Sequence, residues 1–402
     1  MKHSSLATVA LCILTVLPLP AIGQEAPEPT QVVILGVNHS AQLLAEKQRP
    51  SLFRAFFKRV EPDAIAVERD PQAFGRNDFY EFTYEVQDLA LPWAREHGLP
   101  VYPIDWVPPT EDQRLLFGVD LEAAPFIRPT TGFGGFLSFS DSTTHSQALF
   151  YADAEGAAEG SLTWADTPAE NASFDAARRL FLYRTFLQAR RISRAASNHR
   201  GGTLLILVGS MHKPDLDRIL SGYPDIKLVQ PSRYGAPTEE EARAQERSEG
   251  AYAIATFNLL GVQSRTGLVD YEYVHRLVQR LERAIGLTAE TRLFQTRLGV
   301  LTGEITAEQA ARQYQHIRDV VEPEAAFTWT GVQNRSRLDS FFDPFGNLTV
   351  KQRATLENAR EMYKMGRAEE ADALREELAA ALSAQTSAQL HAYWQEHVRE
   401  AR

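Results

Sequence analysis

The sequence predicts an α/β protein: a mostly parallel sheet flanked by helices, followed by a largely α-helical C-terminal half. Three observations predict it. Short aliphatic runs recur as QVVILG (31–36), DAIAVE (63–68), VYPID (101–105), TLLILVG (203–209) and IKLVQ (226–230), the composition of strands buried on both faces. Helical patterns separate these runs, and strands alternating with helices make a parallel sheet. From Ala236 onward the pattern is mostly helical, with capping boxes at Thr238-x-x-Glu241, Thr306-x-x-Gln309 and Thr349-x-x-Gln352.

Taken in order, the chain begins with MKHSSLATVALCILTVLPLPAIGQEAPEPT, in which one lysine precedes an apolar run from Leu6 to Ala21. This predicts a signal peptide over 1–23, cut near Ala21-Ile22-Gly23, and hence an exported protein, periplasmic or extracellular. A membrane anchor is disfavoured, because the run is shorter than the ~20 residues a span needs and holds two prolines. Cys12 is the only cysteine of the 402 residues, so the mature chain relies on a large core rather than on disulfides. After a polar leader comes the first strand. LFRAFFKRV (52–60) then places Leu52, Phe53, Phe56, Phe57 and Val60 on one helical face. A helix is expected around 79–98 and a long one around 174–198. Residues 106–172, with GFGGFLSFSDSTTHSQ, break the rhythm as an insertion or lid. The expected units are thus an α/β core over 24–235 and a helical region over 236–402. The latter either packs on the sheet or forms a second domain able to bind a protein partner.

Composition removes some functions. The net charge is −10 with no Lys/Arg block, which argues against nucleic-acid binding. No later segment is apolar enough to span a membrane, and there is neither a P-loop nor a nucleophile elbow of the G-x-S-x-G type.

Ligands of open parallel sheets bind beyond the carboxyl ends of strands. Three such ends carry capable residues: Gly36-x-x-His39, Glu68 and Gly209-x-x-His212. Two imidazoles and a carboxylate are three ligands for a divalent metal ion (Mn, Co, Zn or Fe) with a position left for water. Without metal, a histidine or Glu68 could act as general base on water while cations stabilise the oxyanion. The arginines of the long helix, Arg178, Arg179, Arg184, Arg190, Arg191 and Arg194, could reach the same edge. Asp105 is a candidate supporting group and Asp70 a substitute for Glu68. His145 sits in the insertion, and His275, His316, His391 and His397 read as surface residues.

The order of ILGVNHS (34–40), VEPDAIAVERDP (60–71), QARRISRA (188–195) and LVGSMHKPDL (207–216) resembles the TraB/GumN/Tiki superfamily, which also embraces erythromycin esterase-like and ChaN-like proteins. The resemblance covers residues 31–235. It implies an erythromycin esterase/ChaN-like α/β core with His39, Glu68 and His212 as the active site. Tiki-type members imply metal-dependent peptide hydrolysis, with those three residues as metal ligands. Erythromycin esterase-like members imply metal-free ester or lactone hydrolysis, and ChaN-like members haem or iron binding. The family's arginine falls at Arg190 or Arg191; Arg190 is taken as the site residue, although the Asn that often follows it is absent. The expectation is therefore an exported hydrolase of a small-molecule or peptide substrate, with metal-free hydrolysis or non-enzymatic haem, metal or partner binding as the alternatives.

Overall fold

The computed structural model describes residues 28–117, 124–129 and 142–399. The expected signal peptide and part of the expected insertion lie outside the described residues. Five strands form one all-parallel sheet: β1 (Thr30–Val37), β2 (Ala64–Val67), β3 (Val101–Pro103), β4 (Thr203–Gly209) and β5 (Ile226–Leu228), in the order β3-β2-β4-β1-β5. This is the expected α/β architecture. Its register matters most for function. Gly36 pairs with Val208 and Val37 with Gly209, while Val67 pairs with Leu207. The two G-x-x-H ends and the Glu68 end are therefore adjacent on one edge.

Side chains alternate across each strand. Val33, Leu35, Val37, Ile65, Val67, Leu205 and Leu207 face one core, with Phe53, Phe56 and Phe57 of the helix Pro50–Val60. Val32, Ile34, Ala66, Leu204, Ile206 and Val208 face the other, against Ala189, Ile192 and Ala196 of the long helix Ala172–Ser197. A residue such as Phe56 or Ile206, fully buried, contributes roughly 1.5–3 kcal/mol relative to an exposed position.

The C-terminal half packs against this sheet. Leu277, Leu293, Phe294, Tyr314 and Val350 belong to the same apolar cluster as Val33 and Leu205. The capping boxes at Thr238, Thr306 and Thr349 all form, each hydroxyl accepting from the backbone three residues on. A separate cluster joins Leu338, Phe345, Leu356, Leu390 and Trp394. His397 departs from expectation: it lies in the π-helical stretch Gln395–Arg399 and is buried, stacked on Tyr393 and edge-on to Phe345. Among the described residues, no helix is long and apolar enough to cross a membrane.

Between the helices Ala307–Val320 and Val350–Lys364, residues 321–349 form a strap without helix or strand. Two carboxyls, the buried Glu290 and the half-buried Asp88, hold its start. Glu290 accepts from Thr328 through both backbone N–H and hydroxyl, and Asp88 accepts from Trp329 Nε1 at 3.3 Å. Burial pushes Asp88 up to about 7, helped by the charge of Glu85, and burial pushes Glu290 up to about 7. The folded state thus holds protons that the unfolded chain releases near pH 4, and stability falls as pH rises from about 4 to about 7. Asp88→Asn is expected to stabilise the protein at pH 8 by up to roughly 4 kcal/mol and to do little at pH 4. Urea denaturation at the two pH values checks this; an equal effect at both would refute it.

Candidate active site

β1 ends in Val37 and the chain turns at Ser40, whose φ of 62° is left-handed. The turn aims His39 back across the sheet edge. Its Nδ1 donates to Glu85 Oε1 at 2.6 Å, and Glu85 Oε2 accepts the Ser40 backbone N–H at 3.3 Å. A carboxylate only accepts, so Nδ1 carries the proton. Glu85 opens a π-helical turn, Glu85–Ala90, a local distortion of the kind often found at functional positions.

Glu68 follows β2 and is buried. Oε1 accepts from Arg184 Nη2 at 2.7 Å, and Oε2 accepts the Gly209 backbone N–H at 2.5 Å. Arg184 also grips Asp105 through Nε and Nη2, each at 2.6 Å, and Asp105 accepts from Tyr80 and Gln188. Asp105 is thus the supporting group behind the arginine.

His212 sits in the turn after β4, stacked on Phe181 with ring centroids 4.5 Å apart. Its Nδ1 lies 2.6 Å from Thr185 Oγ1, which itself donates to the Phe181 carbonyl at 3.0 Å. The hydroxyl has one proton, so this pairing assigns Nδ1–H to His212 and leaves a lone pair on Nε2. Both histidines therefore turn Nε2 toward Glu68: His39 Nε2 lies 3.7 Å from Oε2, and His212 Nε2 3.5 Å from Oε1.

The two glycines make room. A Cβ on Gly209 would stand 3.1 Å from His39 Nε2 and 3.3 Å from Glu68 Oε2. One on Gly36 would stand 2.9 Å from the Ala152 side chain and 3.3 Å from the Ser210 backbone. The repeated glycine is a packing requirement of the site.

Electrostatics separates the imidazoles. Burial works to lower His39, but the charge and hydrogen bond of Glu85, then the charge of Glu68, carry it above its ordinary 6.5. Burial lowers His212 below 6.5, and Glu68 opposes without overcoming it. Burial would raise Glu68, but Arg184, then His212 and His39, hold it well below the usual carboxylate range.

The structure brings together His39, Glu68 and His212. It does not bring in Arg190, which is exposed on the outer side of the long helix; Arg191 is half-buried, and the arginine at the site is Arg184. The helix phase decides this, since Arg184, Thr185, Gln188 and Ile192 share the buried stripe. Asp70 does not replace Glu68: it caps the short helix Pro71–Gly75. His145 lies beside Gln263, 3.4 Å away. Glu85 and Thr185 were not singled out in the sequence. Two grooves of about 440 and 420 Å³ lie away from the site. One is lined by Arg292, Gln313 and His316, the other by Arg49, Arg243 and Arg280.

The donor types suit a divalent cation, and each Nδ1 is tied back as in metal-binding histidines. The arrangement nevertheless does not fit one as it stands. Both Glu68 oxygens already accept hydrogen bonds, one from a guanidinium whose charge opposes a cation ~2.0–2.2 Å from the carboxylate. Among the described residues, no group of three or more His, Cys, Asp or Glu is placed to hold a metal ion. Comparison of the chain with protein-family models, with curated proteins and with solved structures found no match.

Proposed function

We propose that this chain is an exported hydrolase of the TraB/GumN/Tiki type, cleaving an ester or amide bond of a small molecule or peptide by acid–base catalysis between two histidines. The observation that supports it is the convergence of both Nε2 atoms on one carboxylate, with each Nδ1 anchored from outside. Opposed pKa displacements assign the roles: neutral His212 is the base and protonated His39 the acid.

His212 Nε2 and Glu68 Oε1 are both acceptors, and 3.5 Å separates them. A water donating to both satisfies the pair and is held for attack. Its oxygen adds to the substrate carbonyl carbon as its proton passes to His212 Nε2. When the tetrahedral intermediate collapses, His39 Nε2–H protonates the departing oxygen or nitrogen. The products are a carboxylic acid and an alcohol or amine. The proton held by His212 then returns to solvent, and His39 is reprotonated from it. Glu68 stays ionised throughout, supporting the His39 cation, while Arg184 fixes its orientation.

The test uses purified protein, p-nitrophenyl butyrate and a peptide p-nitroanilide, with and without EDTA. Hydrolysis that survives EDTA and is lost in His39→Ala is expected. Inhibition by EDTA that Mn, Co, Zn or Fe reverses would establish the metal-dependent form instead, with Glu68 exchanging Arg184 for the ion. No turnover of either probe above buffer would count against the reading.

A further inference from the structure

The stretch Phe82–Asp88 has two working sides. One side faces His39. The Phe82 ring meets the imidazole edge-on at 5.4 Å, the Phe82 carbonyl accepts from Ser40 Oγ at 2.5 Å, and Glu85 holds Nδ1. The other side faces the strap 321–349. The Phe341 ring packs on Phe82 at 5.7 Å, and the Trp329 ring meets Tyr84 at 6.0 Å. Trp329 Nε1–H also donates to Asp88, and the Gln333 amide donates to Gln87 Oε1. Gln87 in turn donates to the Tyr80 carbonyl at 2.7 Å, and the Tyr80 hydroxyl donates to Asp105 behind Arg184. These strap contacts with the stretch 82–88 therefore land on residues that touch the site or lie within three positions of one that does.

The strap has no helix or strand of its own to hold its shape. It is fixed at Thr328 by Glu290, and Arg353, fully buried, grips Asp343 at 2.5 Å and Glu357 at 2.8 Å. Its position is therefore set by helices of the C-terminal half.

We propose that Phe341 and Trp329 are positioning residues for the reaction: the helical half acts, through the strap, as the brace that holds Phe82 and Glu85 against His39. This rests on the hydrolytic reading for its kinetic consequence but not for its structural one. A buried imidazole anchored by one short hydrogen bond and one ring contact keeps its aim only while both partners keep theirs, and displacement of the order of 1 Å costs up to about 100-fold in rate.

The test compares Phe341→Ala, Phe341→Leu and, as a control in the separate apolar cluster, Leu390→Ala. Each is measured for p-nitrophenyl butyrate turnover and for the ring ¹H/¹⁵N signals of His39. Phe341→Ala is expected to lower kcat about tenfold with KM within about twofold, and to shift and broaden the His39 signals. Phe341→Leu is expected to restore most of both. Leu390→Ala is expected to lose stability and change neither. If Phe341→Ala does not fold, Trp329→Phe, which removes the N–H to Asp88, carries the same comparison. Wild-type kcat and His39 signals in the folded variants would overturn the proposal, and so would equal effects from Leu390→Ala. If the wild-type protein turns over neither probe, the hydrolytic reading falls, while the His39 signals still decide the brace.

Discussion

His212→Asn is expected to lower kcat for p-nitrophenyl butyrate by roughly 10²–10⁴-fold, the range that a positioned general base supplies. Asn can keep a hydrogen bond to Thr185, so the fold should survive. The pH profile carries the sharper prediction. On this reading, activity of the wild-type protein should rise as His212 loses its proton, below 6.5, and fall as His39 loses its own, above 6.5. The acid limb should therefore lie below 6.5 and the alkaline limb above it. His212→Asn should remove the acid limb and leave the alkaline one. A residual activity that keeps both limbs would mean that another group is the base. Glu68 is a poor candidate for that role, since Arg184 and the two histidines keep it ionised far below neutrality, which makes it a weak base.

Glu68→Gln should have the largest effect on stability. The wild-type carboxylate is buried between Arg184 and the Gly209 N–H, both donors. Glutamine offers one acceptor oxygen and one NH₂, so at least one donor faces another donor. Arg184 keeps Asp105, but its buried charge loses one of its two carboxylate partners. Breaking one side of a buried pair costs about 3–5 kcal/mol. His39 also loses part of what holds its proton, so the alkaline limb should move to lower pH. The double variant Glu68→Gln/Arg184→Met should be more stable than the two single losses sum to, because Glu68 and Arg184 leave together and only Asp105 is left without its cation. It should remain inactive. Urea denaturation of the three variants measures this coupling, and additive losses would argue that Glu68 and Arg184 do not act as a pair.

Much of this site is legible in the chain because strands are. An aliphatic run buried on both faces must end somewhere, and a polar residue just past that end has little freedom in where it can lie. Hence the strand ends alone place Gly36-x-x-His39, Glu68 and Gly209-x-x-His212 on one edge. Arg184 is among the arginines named from the sequence, and the choice of Arg190 over it fails for a reason of phase. The long helix carries six arginines from 178 to 194, and only the line through Thr185, Gln188 and Ile192 shows that Arg184 faces in while Arg190 faces out. Glu85 is different. It lies in line with buried Leu89 and Trp93, but no local pattern says that a carboxylate there meets an imidazole 46 residues earlier in the chain. Thr185 was equally hidden, since a threonine inside a helix more often bonds its own preceding turn, as this one also does. The joining of the helical half to the sheet depends on contacts between distant residues, such as Trp329 with Asp88, which no local pattern carries.

The central claim is that one histidine is charged and the other neutral across a shared carboxylate. Nitrogen-15 NMR of histidine-labelled protein at pH 6.5 tests it directly. His39 should show two protonated ring nitrogens. His212 should show a protonated Nδ1 and an unprotonated Nε2. A neutral His39 beside a charged His212, or two rings titrating together at 6.5, would contradict the account.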